Sequence, residues 1–186
     1  MTVPTDLDAR FRDAAARSGL LDAGYDIFDS PVGPLLVAAG KRGLLRISYD
    51  ADIEEHLEWL SRVAGRTVLR APRQVDDARR ELDEYFGGKR HAFDLTVDLP
   101  DVTPFTERVL RELARIPFGA TATYAELAAL AGSPKAARAV GMTMNRNRIP
   151  IVLPCHRVIG ADGSLVGYAG GLDRKVALLT LEGVLL

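Results

Sequence analysis

The apolar positions of this chain switch between helical and strand-like period four times. Asp6 to Ser18 sets Leu7, Phe11 and Ala14/Ala15 on one face and predicts a short helix. Tyr25 to Asp29 reads as extended. Two apolar, β-prone runs follow, Pro34 to Ala39 and Gly43 to Tyr49, joined by Gly40-Lys41-Arg42-Gly43, a hairpin signature. Helical spacing returns over Ile53 to Val63 and Asp76 to Phe86, where Gly87-Gly88 stops it. Phe93, Leu95, Val97 and Leu99 then alternate with polar residues, the pattern of a half-buried strand. The first hundred residues therefore predict a small α/β domain.

Pro100 and Pro104 mark a boundary, and the pattern beyond it is helical. Thr103-Pro104 pairs an N-cap with a proline at the first helical position, and Phe105, Val109, Leu113 and Ile116 trace one face up to Pro117-Phe118-Gly119. Thr123-Tyr124-Ala125-Glu126 is a capping box opening a helix of about two turns, which Gly132 breaks. Ser133 and Pro134 then start a second helix through Lys135-Ala136-Ala137-Arg138-Ala139-Val140-Gly141. Two short, Ala-rich helices joined by a Gly-containing turn form a helix-turn-helix pattern. After the glycine-rich Tyr168-Ala169-Gly170-Gly171, a last helix over Leu172 to Leu181 is expected to turn Leu172, Val176 and Leu179 inward.

Composition adds little: 186 residues, 47% hydrophobic and 26% charged, belong to an ordinary globular protein with one or two domains. No apolar run approaches membrane-spanning length and the first residues do not read as a secretory signal, so a cytoplasmic setting without a membrane partner is expected. Charge is more telling. Residues 1–100 carry 14 Lys/Arg against 18 Asp/Glu, whereas residues 101–186 carry 10 against 7. Leu127 to Ala161 holds Lys135, Arg138, Arg146, Arg148 and Arg157 with no acid, the footprint of an anionic partner such as nucleic acid.

The only cysteine lies in Ile151-Val152-Leu153-Pro154-Cys155-His156-Arg157-Val158. A thiol attacks as its thiolate, which a nearby imidazole and positive charge favour. A single Cys excludes an internal disulfide or thiol relay. In an extended strand Cys155 and His156 would point to opposite faces, so their contact needs a sharp turn or a bridging water. His156 also needs an orienting acid, for which Asp162, Asp173 and Glu182 stand downstream. A buried inert thiol, a backbone-satisfied His156 and a solvated Glu182 are the alternatives. Asn145 and Asn147 link the basic helix to the Cys run, as turn formers or as a hydrogen-bonded brace. His56, His91, His156 and Cys155 offer no clustered ligand spacing, so neither metal nor cofactor is expected.

Pro154-Cys155-His156-Arg157-Val158 has Tyr124, Lys135 to Gly141, Asn147 and Pro150 upstream of it. Downstream lie Tyr168-Ala169-Gly170-Gly171-Leu172 and Glu182-Gly183. This set resembles the O6-alkylguanine-DNA alkyltransferases, the methylated-DNA–protein-cysteine methyltransferases. The likeness is specific over Pro104 to Gly183. It is looser over Tyr25 to Leu99, where Asp29-Ser30-Pro31-Val32-Gly33-Pro34-Leu35 and Tyr85-Phe86-Gly87-Gly88 resemble the family's N-terminal domain. The resemblance implies a ribonuclease H-like α/β domain over 25–99, a small antiparallel sheet with helices, after an extension over 1–24. A mostly helical domain with a winged-helix-like helix-turn-helix would follow over 104–186. It implies stoichiometric, irreversible transfer of the alkyl group from O6-alkylguanine, and O4-alkylthymine, in double-stranded DNA to Cys155. A monomer would bind through the minor groove, with cooperativity along DNA left open, and flip the damaged base out.

By that resemblance, Cys155 attacks the alkyl carbon, activated through a water by His156, which Glu182 orients. Tyr124 rotates the 3′ phosphate and protonates the leaving guanine, Asn147 is a hinge, and Arg138 fills the gap in the base stack. Lys135, Ala136, Ala137 and Arg148 join Arg138 and Tyr124 at the DNA, and Tyr168, Val158, Pro150 and Ala169 line the base pocket. Arg148 stands where the family usually has proline, and Thr106 and Leu110 where it usually has Gln and Trp. Two rivals remain: a damage-binding module without transfer, which the intact Cys155 disfavours, and a cysteine hydrolase, which would turn over.

Overall fold

The computed structural model describes residues 14–15, 18–49 and 52–185, in two compact units. One holds the described residues up to Asp83 together with Asp94–Pro100. The other holds Glu84–Phe93 and the residues from Asp101 onward. Most of the expected N-terminal helix lies outside the described residues; Ala14 and Ala15 are helical.

The first unit is built on a four-stranded sheet in the order β3-β2-β1-β4, from β1 (Ala23–Phe28), β2 (Leu35–Gly40), β3 (Gly43–Ser48) and β4 (Val68–Arg70). The expected hairpin forms with Gly40 opposite Gly43 and Lys41-Arg42 as its loop. The sheet is mixed where an antiparallel one was expected, because β4, too short to read from sequence, joins β1 in parallel. Helix α1 (Ile53–Val63) starts on Asp52, whose side chain accepts the Glu55 N–H. Trp59 and Leu60 close one core with Ala23, Leu36, Ala38 and Leu45. Helix α2 spans Asp76–Phe86, and its last turn, from Glu84, belongs to the second unit.

The strand expected over Phe93 to Leu99 is reduced to one bridge, Val97 to Leu44. Leu44 N–H donates to Thr96 O and accepts through its carbonyl from Asp98 N–H, so the segment crosses the edge of β3 and does not extend along it. Gly43, at φ 140°, permits that crossing, since a Cβ there would lie 2.3 Å from Thr96 O.

In the second unit, α3 (Pro104–Leu113) begins at the expected Thr103 cap and ends sooner than expected, with Ile116 buried from the turn beyond it. The capping box of α4 (Tyr124–Leu130) is reciprocal: Thr123 Oγ1 accepts from Glu126 N–H, and Glu126 accepts from Thr123 N–H at 2.7 Å. The second helix of the pair, α5, runs Ala137–Asn145. It starts later than expected because Ser133 does not cap it; the Ala136 N–H closes a turn on Ser133 O instead.

Two-residue strands β5 (Ala122–Thr123) and β6 (Val158–Ile159) pair in parallel. The final helix α6 (Leu172–Leu181) buries Lys175, Leu178 and Leu179, while Leu172 and Val176 are exposed, contrary to expectation. Two polar residues, Lys175 and Glu182, are buried along with Leu178 and Leu179.

Candidate active site

Pro154 ends the apolar run, and Cys155–Arg157 forms one tight 3-10 turn whose first carbonyl accepts from Val158 N–H. The chain thus turns sharply at Cys155 and His156 rather than running extended. The β5–β6 register, Ala122 to Val158 and Thr123 to Ile159, sets Tyr124 at the start of α4 beside that turn. Upstream, Asn147 braces the approach: its Nδ2 donates to Leu153 O at 2.8 Å and its Oδ1 accepts from Ile149 N–H at 3.1 Å. Between those anchors Ile151 is fully buried at φ 74°, a strained conformation for a β-branched residue that the brace holds in place.

Glu182 collects the site. Its Oε1 accepts from Tyr85 Oη at 2.7 Å, from His156 Nε2 at 2.8 Å and from Arg157 Nη2 at 2.8 Å. Its Oε2 accepts from Arg157 Nε at 2.9 Å and from Gly119 N–H at 3.2 Å. Of the three acids that sequence left open, Glu182 is the partner of His156, and its side chain is fully buried rather than solvated. Burial raises its pKa, and the hydrogen bonds from His156 and Arg157 more than reverse that, holding it at about 2. Arg157 is thereby turned from the thiol to the carboxylate, with Nη1 on Ile116 O at 2.6 Å.

An ionised Glu182 can only accept, so Nε2 carries the ring hydrogen of His156. Burial pushes His156 below its ordinary range despite the Glu182 hydrogen bond, leaving the ring neutral and its Nδ1 a lone-pair base. That atom is buried without a hydrogen-bond partner among the described residues. Burial pushes the Cys155 thiol up, against hydrogen bonds from Asn147 and Tyr168 and the charge of Lys175. The neighbouring imidazole and positive charge therefore leave no resting thiolate: the sulfur is protonated until a base takes its hydrogen. Burial also raises Tyr124, which stays a phenol and can donate.

Cys155 lines a cleft of about 470 Å³, together with Tyr124, Ala137, Arg138, Tyr168 and Ala169. Gly141, Met144 and Asn145 of α5, and Val166 and Gly167, complete its wall. Arg138 is exposed at this wall. Lys135 and Ala136 line a separate shallow depression with Ser133 and Pro134, and Arg148 is exposed outside the cleft. Pro150 and Val158 are buried and not among the lining residues; the Val158 carbonyl accepts from Lys175 Nζ at 2.6 Å.

Sequence reasoning missed Tyr85, Lys175 and Met144, misjudged Arg157, and singled out Asn145 as a turn former or brace where it lines the cleft. Lys175 has a legible signal: it is the one cation at helical spacing from Leu178, Leu179 and Glu182. It is fully buried, and its Nζ also donates to Val166 O at 3.0 Å.

A buried thiol, a neutral imidazole base and a carboxylate, opening beside a basic helix-turn-helix, define a nucleophilic-cysteine protein with a DNA-facing site. Residues 24–99 match the ribonuclease-like domain of 6-O-methylguanine DNA methyltransferase, and residues 104–184 match its DNA binding domain. The methylated-DNA–protein-cysteine methyltransferase of Methanosarcina barkeri (strain Fusaro / DSM 804) is 44% identical over 85% of this chain and 96% of its own length. The constitutive enzyme of that name from Bacillus subtilis (strain 168) is 38% identical over 86% and 95%. The crystal structure of Mycobacterium tuberculosis OGT in complex with DNA superposes with a TM-score of 0.73 at 41% identity, covering 86% of this chain and 92% of that one. The chain belongs to the 6-O-methylguanine DNA methyltransferase family.

Proposed function

We propose that this protein repairs alkylated DNA directly, transferring the alkyl group from O6 of guanine, or O4 of thymine, to Cys155 in one irreversible step. The observation that carries this reading is the placement of Cys155 in a cleft walled by α5 and Arg138, next to the His156–Glu182 pair. Double-stranded DNA binds a monomer from its minor-groove side, with Arg138 occupying the gap left by an everted base and Lys135, Ala136, Ala137 and Arg148 along the backbone. Small residues on α5 suit close approach to a narrow groove.

The everted base sits against Tyr168 and Ala169. His156 Nδ1 takes the Cys155 proton through a bridging water, and the sulfur attacks the alkyl carbon. The S–C bond forms as the C–O6 bond breaks, and Tyr124 returns a proton to the leaving guanine. Glu182 fixes the His156 tautomer, and Asn147 holds the Cys155 turn to the end of α5. The thioether has no leaving group that restores the thiol, so each molecule acts once. The reaction takes place in the cytoplasm.

The test is mass spectrometry after incubation with duplex DNA carrying O6-methylguanine. One methyl per protein, mapped to Cys155, is expected, with none on Cys155→Ser, which still binds the DNA. Binding without methyl gain would instead identify a damage-binding module, and more than one turnover per molecule a hydrolase.

A further inference from the structure

Tyr85 has no part in the chemistry above, yet it is fully buried and its hydroxyl ends on the same carboxylate oxygen that His156 uses. It belongs to the compact unit that holds Glu182. Its ring is packed among Phe86, Phe93 and Phe118 at centroid distances of 5.3, 5.4 and 6.1 Å, which holds the hydroxyl on Glu182.

Glu182 Oε1 accepts three hydrogen bonds, from Tyr85, His156 and Arg157. A carboxylate oxygen offers two lone pairs, so these donors compete for one pool of negative charge. What Tyr85 and Arg157 draw off is no longer available to stabilise an imidazolium at His156. We propose that Tyr85 is a positioning residue for alkyl transfer, whose hydroxyl shares Glu182 Oε1 with His156 and thereby keeps His156 in its neutral, proton-accepting form. This rests on the reading of His156 as the base that deprotonates Cys155.

The other groups facing this pair act in known directions. Arg157 lies on the same turn, Lys175 on α6 adds a positive charge that also disfavours the imidazolium, and Cys155 is neutral at rest. His91 stacks on Phe118 at 4.1 Å, on the aromatic cluster that holds Tyr85. Glu182 alone favours the charged ring. Burial is the largest restraint on His156; beside it stand Arg157, Lys175 and Tyr85, and Tyr85 is the one that a single-atom change removes without adding or deleting a formal charge.

The experiment is the pH dependence of the second-order rate with free O6-benzylguanine, which reads the thiol chemistry without DNA binding. Wild type, His156→Ala and Tyr85→Phe are compared, together with 3-fluorotyrosine placed at position 85 alone. Wild type is expected to show an acid limb that His156→Ala abolishes; an unaffected limb would sink the reading of His156 as base, independently of Tyr85. Given that limb, Tyr85→Phe should move it to higher pH, by a fraction of the roughly one unit that a charge-assisted hydrogen bond made directly to His156 would give. The fluorinated phenol, a stronger donor of nearly the same shape, should move it lower. A limb that stays in place in Tyr85→Phe, or moves down, overturns the proposal, as does a merely lower plateau with no change of midpoint. If Tyr85→Phe does not fold, the fluorinated variant decides by the same criterion.

Discussion

Glu182→Gln keeps the shape of the side chain and removes its charge, leaving Arg157 buried with a neutral partner. The structure sets the size of the effect. Lowering a carboxyl pKa from 4.5 to about 2 is worth about 3 kcal/mol of folding stability at neutral pH. Breaking a buried ion pair by neutralising one member costs about 3–5 kcal/mol, and the Glu182 side chain is fully buried, so solvent does not screen the pair. The two magnitudes agree.

The sign of the pH dependence follows. A carboxyl that binds its proton less readily folded than unfolded stabilises the fold above its ordinary value, and that contribution is lost as pH falls from 4.5 toward 2. Urea unfolding followed by circular dichroism at pH 7, 5, 4 and 3 measures it. Glu182→Gln should be the less stable protein by about 3–5 kcal/mol at pH 7, and the gap should narrow steadily below pH 5. Glu107→Gln serves as control: its pair with Arg111 is exposed, and its loss should change stability by no more than about 0.5 kcal/mol. A gap that is constant from pH 7 to pH 3 would refute the argument, because it would mean that Glu182 has an ordinary proton affinity in the fold.

Three further outcomes are expected. Arg138→Ala should slow repair of duplex DNA far more than reaction with free O6-benzylguanine, and equal slowing would exclude a role in filling the stack. Lys175→Met removes a charge that favours the Cys155 thiolate, so iodoacetamide labelling of Cys155 should require higher pH; an unshifted labelling curve counts against that charge effect. Asn147→Ala deletes both side-chain bonds across the strained Ile151 segment and should cost about 1–3 kcal/mol, seen as a lower urea midpoint at unchanged slope.

How far the sequence could be read depends on whether a feature is local. The Gly40–Gly43 hairpin, α1, α2 and the Thr123 capping box are determined within a few residues, and α1, α2 and α6 have the bounds their periodicity predicts. Val68–Arg70 is three residues long and takes its strand character from β1, so no window along the chain could show it. Phe93 to Leu99 alternates as a strand does but pairs at one residue, because pairing is decided by the neighbour and not by the pattern. The residues of the Cys run could be singled out by type, and Glu182 by resemblance. The hydroxyl of Tyr85, 97 positions from Glu182 in sequence, could not be connected to it without coordinates. Lys175 was legible in principle as a cation at an inward helical phase, which Leu172 and Val176 concealed by suggesting another phase.

On the proposed mechanism, the arrangement also keeps the Cys155 thiol and the His156 base from ionising each other at rest. A thiolate–imidazolium pair buried at rest would need its desolvation offset by their mutual attraction. Here burial drives both groups toward their neutral forms, the thiol up and the imidazole down, and Arg157 and Tyr85 occupy the carboxylate that would otherwise charge the ring. On the proposed mechanism, the negative charge that develops on sulfur meets Lys175, whose Nζ donates to the carbonyls of Val158 and Val166. For a protein whose one cysteine is consumed by a single reaction, a resting thiol of low reactivity protects the acceptor from stray electrophiles, and the same burial that slows it in isolation makes the hydrogen-bonded charges around it count for more once the cleft is filled.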